Sequence, residues 1–232
     1  MTRRSYIIAV AVLLIVAFSI FMPLRTIVDG NQISARKVDG IIWDGSIREL
    51  SLSKVPIGDV NARLKFLPLL LGRAEIALSR GDAPFAPGIS GSVTKRFGGV
   101  SIDRFNATLA IGAMFDPLPV EDIILQDFSA RFTGGRCSEA GGAVRMTLTK
   151  AIPGLDLSNG LLAKPRCDRG QLLIPLLSQS ATEHVDIRLS ADGAYSVTIL
   201  LEGDNSLNAD ALALAGFRKG ARGYQMIKRG RL

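Results

Sequence analysis

VNARLKF, residues 60–66, alternates strictly: Val60, Ala62, Leu64 and Phe66 are apolar, while Asn61, Arg63 and Lys65 are polar. Successive side chains of a strand point to opposite faces, so a period of two predicts a half-buried β-strand. The residues that follow, Leu67-Pro68-Leu69-Leu70-Leu71-Gly72, break the pattern, because proline donates nothing to a ladder. Ala74, Ile76 and Leu78 then resume the period of two. The two runs predict neighbouring antiparallel strands joined by an apolar turn, and they set an antiparallel β fold as the expectation for their surroundings.

Working outward, VDGIIWDGSIRELSL (residues 38–52) places Gly40 and Gly45 on either side of Ile41-Ile42-Trp43, which holds the chain's one tryptophan. Glycines around a short apolar run predict a strand with a close backbone approach or a bulge at each end. Leu50 and Leu52 begin a second strand from Ile47. Downstream, Gly81–Gly91 is rich in breakers and reads as a boundary between two sub-lobes. Ser92–Arg96, Val100–Phe105 and Ala107–Phe115 follow as strands divided by Gly98-Gly99 and a short turn. Ile124, Gln126, Phe128, Ala130 and Phe132 also alternate, which would turn Gln126 inward.

Val144, Met146 and Leu148 share one face of a further strand, and Asp156–Leu162 and Gly170–Leu177 predict strands on either side of Cys167. Asp192-Gly193 between the alternating runs 185–189 and 195–201 is a strong hairpin signal. Asn208–Gly216 predicts a short helix, with Asn208 as cap, Asp210 in the first turn and Gly216 as the left-handed stop. Phe217 would anchor its exit, and Tyr224–Lys228 would form a last strand ended by Gly230. The expectation is about eleven to thirteen short strands arranged as a twisted sheet of β-meanders. A loose glycine-turn motif recurs from Gly40, Gly88 and Gly141.

The other organising stretch is Ser5–Leu24, twenty uncharged residues between Arg4 and Arg25. A helix of that length covers roughly 30 Å, the hydrocarbon thickness of a bilayer. Arg3 and Arg4 before it predict a cytoplasmic N-terminus at residues 1–4, because positive flanks stay inside. The run is longer than a signal-peptide core, and its exit, Ser19-Ile20-Phe21-Met22-Pro23, is too bulky for cleavage. Residues 5–24 therefore read as a transmembrane helix, and residues 25–232 as a periplasmic β-rich domain.

Export bears on the rest of the composition. The chain has two cysteines, Cys137 and Cys167, and in an oxidising compartment a lone pair predicts a disulfide. The net charge of +7 is spread along the chain except for a basic cluster at residues 218–231, which reads as a solvated face rather than a nucleic-acid site. Chemistry is sparse. His184 is the one histidine, no CxxC pair occurs, and no nucleophile elbow, phosphate loop or zinc helix motif is present. No catalytic residue, metal ligand or cofactor is expected.

GIIWDGSIREL and the alternating residues 60–78, followed at the far end by LALAGFRKGARGYQMIKRGRL, together resemble the type II secretion system protein N family. The resemblance rests on Gly40, Trp43 and Gly45 after a single span, and on Gly216, Phe217 and Tyr224 near the close. It implies a single-pass inner-membrane protein with a β-rich periplasmic domain that assists export of folded proteins across the outer membrane, alongside other components of that system. It implies neither catalysis nor a cofactor. The alternative is an envelope protein like the AsmA-like family, whose uncovered apolar sheet face would hold lipid.

Overall fold

The computed structural model describes residues 33–52, 55–81, 87–110, 120–148, 160–202, 209–214 and 216–231. The expected membrane span at 5–24 lies outside them, and among the described residues no helix is long and apolar enough to cross a bilayer. In chain order the strands are β1 (Ile33–Ser34), β2 (Lys37–Ile41), β3 (Asp44–Leu52) and β4 (Val55–Leu64). Helix α1 (Phe66–Leu70) comes next, then β5 (Arg73–Arg80), β6 (Ile89–Arg96), β7 (Gly99–Ala110), β8 (Val120–Thr133) and β9 (Arg136–Leu148). The chain continues through β10 (Leu161–Ala163), β11 (Arg166–Asp168), β12 (Gln171–Leu177), β13 (Glu183–Leu189) and β14 (Ala194–Leu201). Helix α2 (Ala209–Leu214), β15 (Arg218–Gly220) and β16 (Gly223–Arg231) complete it.

All sixteen strands belong to one antiparallel sheet. From β3 to β10 each strand lies antiparallel beside its sequence neighbour. The predicted pair at 60–78 is present, with Asn61–Leu64 of β4 registered against Ser79–Ile76 of β5. Val60 and Ala62 are buried and Asn61 and Arg63 exposed, as the alternation requires. Phe66 departs from it: the strand stops at Leu64, and Phe66 opens α1, in whose first turn Pro68 is tolerated. A second helix therefore stands where an apolar turn was expected. Ile42-Trp43 is also a turn rather than a strand. Strands β5 and β6 pair from Arg73–Arg96 to Arg80–Ile89, so the sheet continues across the breaker-rich stretch 81–91.

Backbone irregularities interrupt the ladder at β3–β4 and, in line with one another, from β6 to β9. Glu49 on β3, Gly58 on β4, Arg104 on β7, Asp127 on β8 and Gly142 on β9 all have φ between 47° and 94°. The register slips beside them, at 47–50 on β3, 90–92 on β6, 102–107 on β7 and 126–129 on β8. Such β-bulges place two residues opposite one and bend the strand. Neighbouring side chains satisfy the displaced amides: Glu49 N–H donates to Asp59 Oδ1 at 2.8 Å, and Asp127 N–H to Asn106 Oδ1 at 2.8 Å.

Each bulge also shifts the side-chain phase. Ile102 is followed on the same face by Phe105 and Ala107, and Ile123 and Leu125 by Phe128, Ala130 and Phe132. Gln126 consequently points outward and is exposed, contrary to the unbroken alternation read from the sequence. Gly141-Gly142 lies mid-strand on β9, where Gly142 faces the β8 bulge, and is not a turn, so it shares no structural role with the hairpin glycine Gly40, and the suggested meander repeat dissolves.

Bending closes the sheet on its apolar face. Strands β4 and β7 stand three places apart, about 14 Å at ordinary strand spacing, yet their Cα atoms approach within 8 Å. Ile47, Leu50, Val60, Ala62, Ile89 and Ala107 form one buried cluster inside this curl. A larger one runs from β8 and β9 to β14 and holds Met146 and Leu176, both fully buried; Phe105 packs against both clusters.

Arg80 fills the seam of the curl. Its Nη1 donates to the carbonyls of Ile57 at 2.7 Å and Asp59 at 3.3 Å, while Nε and Nη2 donate to Pro87 O at 3.0 and 2.7 Å. These are backbone acceptors that a longer β5 would otherwise have satisfied. Charged hydrogen bonds of this kind contribute about 1.5–3 kcal/mol, so Arg80→Ala is expected to destabilise the domain by about 2 kcal/mol. Arg80→Lys should recover little of it, because an ammonium cannot reproduce the planar fork. Chemical denaturation of the three proteins measures both effects.

Candidate functional site

The residues singled out from the sequence occupy two hairpins and one crosslink. Gly40 pairs with Gly45 across the β2–β3 hairpin, and a Cβ on Gly40 would stand 2.6 Å from Asp44 O. At φ 91° only glycine fits that approach, which brings Trp43 to the tip. The Trp43 ring lies 5.9 Å from that of Phe66, the first residue of α1. At the other end, Gly216 with φ 90° stops α2, and Phe217 N–H donates to Leu212 O at 2.9 Å. Phe217 is buried in the main core, and Tyr224 of β16 packs against that core from between Leu201 and Lys219. The two motifs lie near opposite edges of the sheet, so they do not build a common site.

Cys137 on β9 and Cys167 on β11 are joined, with Cα atoms 5.5 Å apart. β11 is a three-residue strand whose ladder partner is β12, and the bridge ties it to β9. A second tie reaches β13: Arg188 Nη1 donates to Asp168 Oδ2 at 2.6 Å. That bond, reinforced by the positive charges of Arg188, Arg169 and Arg166, holds the Asp168 carboxyl below its usual pKa, with partial desolvation opposing. A carboxyl whose pKa is depressed on folding stabilises above its unfolded pKa and loses that contribution as pH falls through the folded value. Wild type should therefore exceed Asp168→Asn in denaturant midpoint at neutral pH, with the gap closing below about pH 4.

His184 pairs with Leu177 and Leu200 on the outer face of β13, and its Nε2 is buried without a hydrogen-bond partner. Glu202 Oε1 lies 4.0 Å from that nitrogen. Among the described residues no cluster of three or more His, Cys, Asp or Glu side chains is placed to hold a metal ion. Ser178, Ser180, Thr182 and Glu183 hydrogen-bond to one another, but they close the β12–β13 turn, where Ser178 Oγ accepts from Glu183 N–H at 3.2 Å.

Besides a groove of about 350 Å³ beside His184 and Glu202, two larger open grooves mark the outer face. One, of about 570 Å³, has a floor of Thr94, Asp103, Arg131 and Glu139 beneath the overhanging Leu67 and Leu71 of the α1 region. Arg131 bridges Glu139 at 2.5 Å and approaches Asp103 at 4.0 Å, so this floor is ionic. The other, of about 590 Å³, is more apolar, with Ile124, Leu162, Pro175 and Leu177 beside Arg145 and Lys164. The inner face, by contrast, is filled by the chain's own side chains.

The sheet has two lateral edges. β1 and β2 lie at one; at the other, β15 covers only Gly223–Gln225 of β16. The strand expected at 224–228 runs from Gly223 to Arg231 and continues through the expected stop at Gly230, where a Cβ would stand 2.6 Å from the Tyr195 ring.

A family model described as type II secretion system (T2SS), protein N, matches residues 31–227. No curated protein and no solved structure matches the chain.

Proposed function

Because the chain belongs to the type II secretion system protein N family, we propose that it is an inner-membrane-anchored periplasmic scaffold of that secretion pathway. In this reading Ser5–Leu24 spans the inner membrane with its N-terminus in the cytoplasm, and the sheet stands in the periplasm. Its role is accessory: it holds other secretion components in place while folded proteins are moved across the outer membrane. The observation that carries the reading is the family match over residues 31–227, which spans nearly all of the sheet. The disulfide agrees with an oxidising compartment.

The reading predicts that loss of the gene lowers secretion of the pathway's folded substrates. Crosslinkers placed at Ile227 or Arg229 should capture identified components of the same system. Normal secretion in the deletion strain, together with no secretion component recovered on crosslinking, would remove it.

A second reading, lipid handling, draws on the apolar groove with its Arg145 and Lys164 rim. It no longer has the inner face of the sheet available, since core side chains fill that space. Lipid that copurifies with the wild type and is lost in Leu162→Asp would favour it; equal lipid content in both proteins counts against it.

A further inference from the structure

The strand registers gather several hairpin turns at one end of the sheet. Leu64 N–H donates to Ile42 O at 2.9 Å, which sets the Ile42-Trp43 turn beside the start of α1. Arg73 pairs with Arg96, Arg96 with Gly99, Gly99 with Thr133 and Thr133 with Arg136, so turns 65–72, 97–98 and 134–135 project together. Gly134 N–H donating to Gly98 O at 2.9 Å joins the last two.

Of the nine large apolar side chains exposed among the described residues, five stand at this end. Leu67, Leu70 and Leu71 are 74 %, 69 % and 73 % exposed, Phe66 is 59 % exposed, and Phe97 is fully exposed. None of the residues of α1 is buried, although the helix is built of Phe66, Leu67, Pro68, Leu69 and Leu70. Large apolar groups left this exposed on protruding turns have no folding role to explain them. The same end holds Arg63, Lys65, Arg73, Lys95, Arg96 and Arg136. Two acids of these turns answer them: Asp44 pairs with Arg63 at 3.0 Å and Glu75 with Lys65 at 2.5 Å. The surplus is positive.

We propose that this end, led by Leu67, Leu70, Leu71 and Phe97, inserts into the surface of an anionic phospholipid bilayer. Aliphatic and aromatic groups on protruding turns enter the acyl boundary, while the cations around them meet headgroup phosphates. Trp43 suits the polar–apolar boundary just behind them, as indoles do. The groove beneath Leu67 and Leu71 has an ionic floor, so their apolar faces are offered by separate turns that protrude side by side with cations between them, which suits a bilayer surface better than an apolar protein pocket. The contact needs neither the sheet edge nor the secretion partners, and it stands or falls apart from the scaffold reading.

Trp43 is the chain's one tryptophan, which makes it an internal reporter. The full chain is reconstituted into phosphatidylethanolamine–phosphatidylglycerol vesicles, with phosphatidylglycerol brominated on its acyl chains in the test sample and unbrominated in the reference. Insertion is expected to reduce Trp43 emission about twofold or more in the brominated vesicles, and less when the anionic lipid is replaced by phosphatidylcholine. Leu67→Asp/Leu71→Asp should abolish the quenching, and so should Phe97→Asp, which changes a fully exposed turn and leaves the fold intact. Absence of quenching in the wild type would overturn the proposal. Equal quenching in wild type and both variants would do the same, as would crosslinks from position 67 to a secretion protein with no lipid quenching.

Discussion

Replacement of both Cys137 and Cys167 by serine is expected to lower the stability of the sheet domain by about 3–4 kcal/mol, because the bridge closes a loop with a sequence separation of 30 residues. The structure explains why this crosslink has no ready substitute. β11 has three residues, pairs through a single ladder, and is followed at once by the Arg169-Gly170 turn into β12. Without the bridge, its attachment to β9 falls to Cys137 N–H donating to Gly170 O at 2.8 Å and to general packing. For a domain of this size the melting temperature should fall by about 10 °C. Thermal melts of oxidised wild type, reduced wild type and the double variant decide it. The last two should coincide and lie well below the first; three coincident melts would show that β11 is held by other means.

Gly142→Ala is the second large effect. A methyl group there would stand 2.5 Å from Asp127 O and 2.7 Å from both Asp127 C and Phe128 Cα, all backbone atoms without a side chain's freedom to move aside. The residue also has φ 94°, where an L-residue is strained. Strain and overpacking together are expected to cost about 3–5 kcal/mol. Gly141→Ala supplies the internal comparison. Its Cβ would meet only Ser129 Oγ at 3.4 Å, and its φ is not left-handed, so a change of less than about 1 kcal/mol is expected. Denaturant midpoints of the two single variants should therefore differ sharply although the sites are adjacent. Similar values would mean that the β8–β9 bulge relaxes easily and that the curl does not depend on it.

The same bulge accounts for what was hard to read in the sequence. Strict alternation located the strands wherever the ladder is regular, as at Val60–Leu64 and in the β13–β14 hairpin. It failed at Gln126 because Asp127 inserts a residue, and the side chain that should have faced inward faces out. Gly141-Gly142 was misread as a turn for a related reason: glycines mark left-handed backbone equally in turns and in bulges. The short strands β1, β11 and β15 have two or three residues each, too few for a period to show. Of the projecting end, the sequence offered the apolar run 67–71 and the Gly40–Gly45 bracket. It gave no sign that Phe97 stands beside them, since that neighbourhood arises from the registers of β4 to β8.

The amino-acid sequence by itself determined the fold class, the hairpin order, the pairing of its two cysteines and the family. Each is carried by local periodicity, by turn residues, or by a choice with a single solution. The tertiary structure alone decided that the strands form one sheet, that the sheet curls until β4 and β7 approach within 8 Å, and that its hairpin turns share an end. The physical reason is that curl and shared register depend on bulges in different strands lining up across the ladder. That alignment joins residues as far apart as Ser90 and Gly142, and no local pattern of side chains records it.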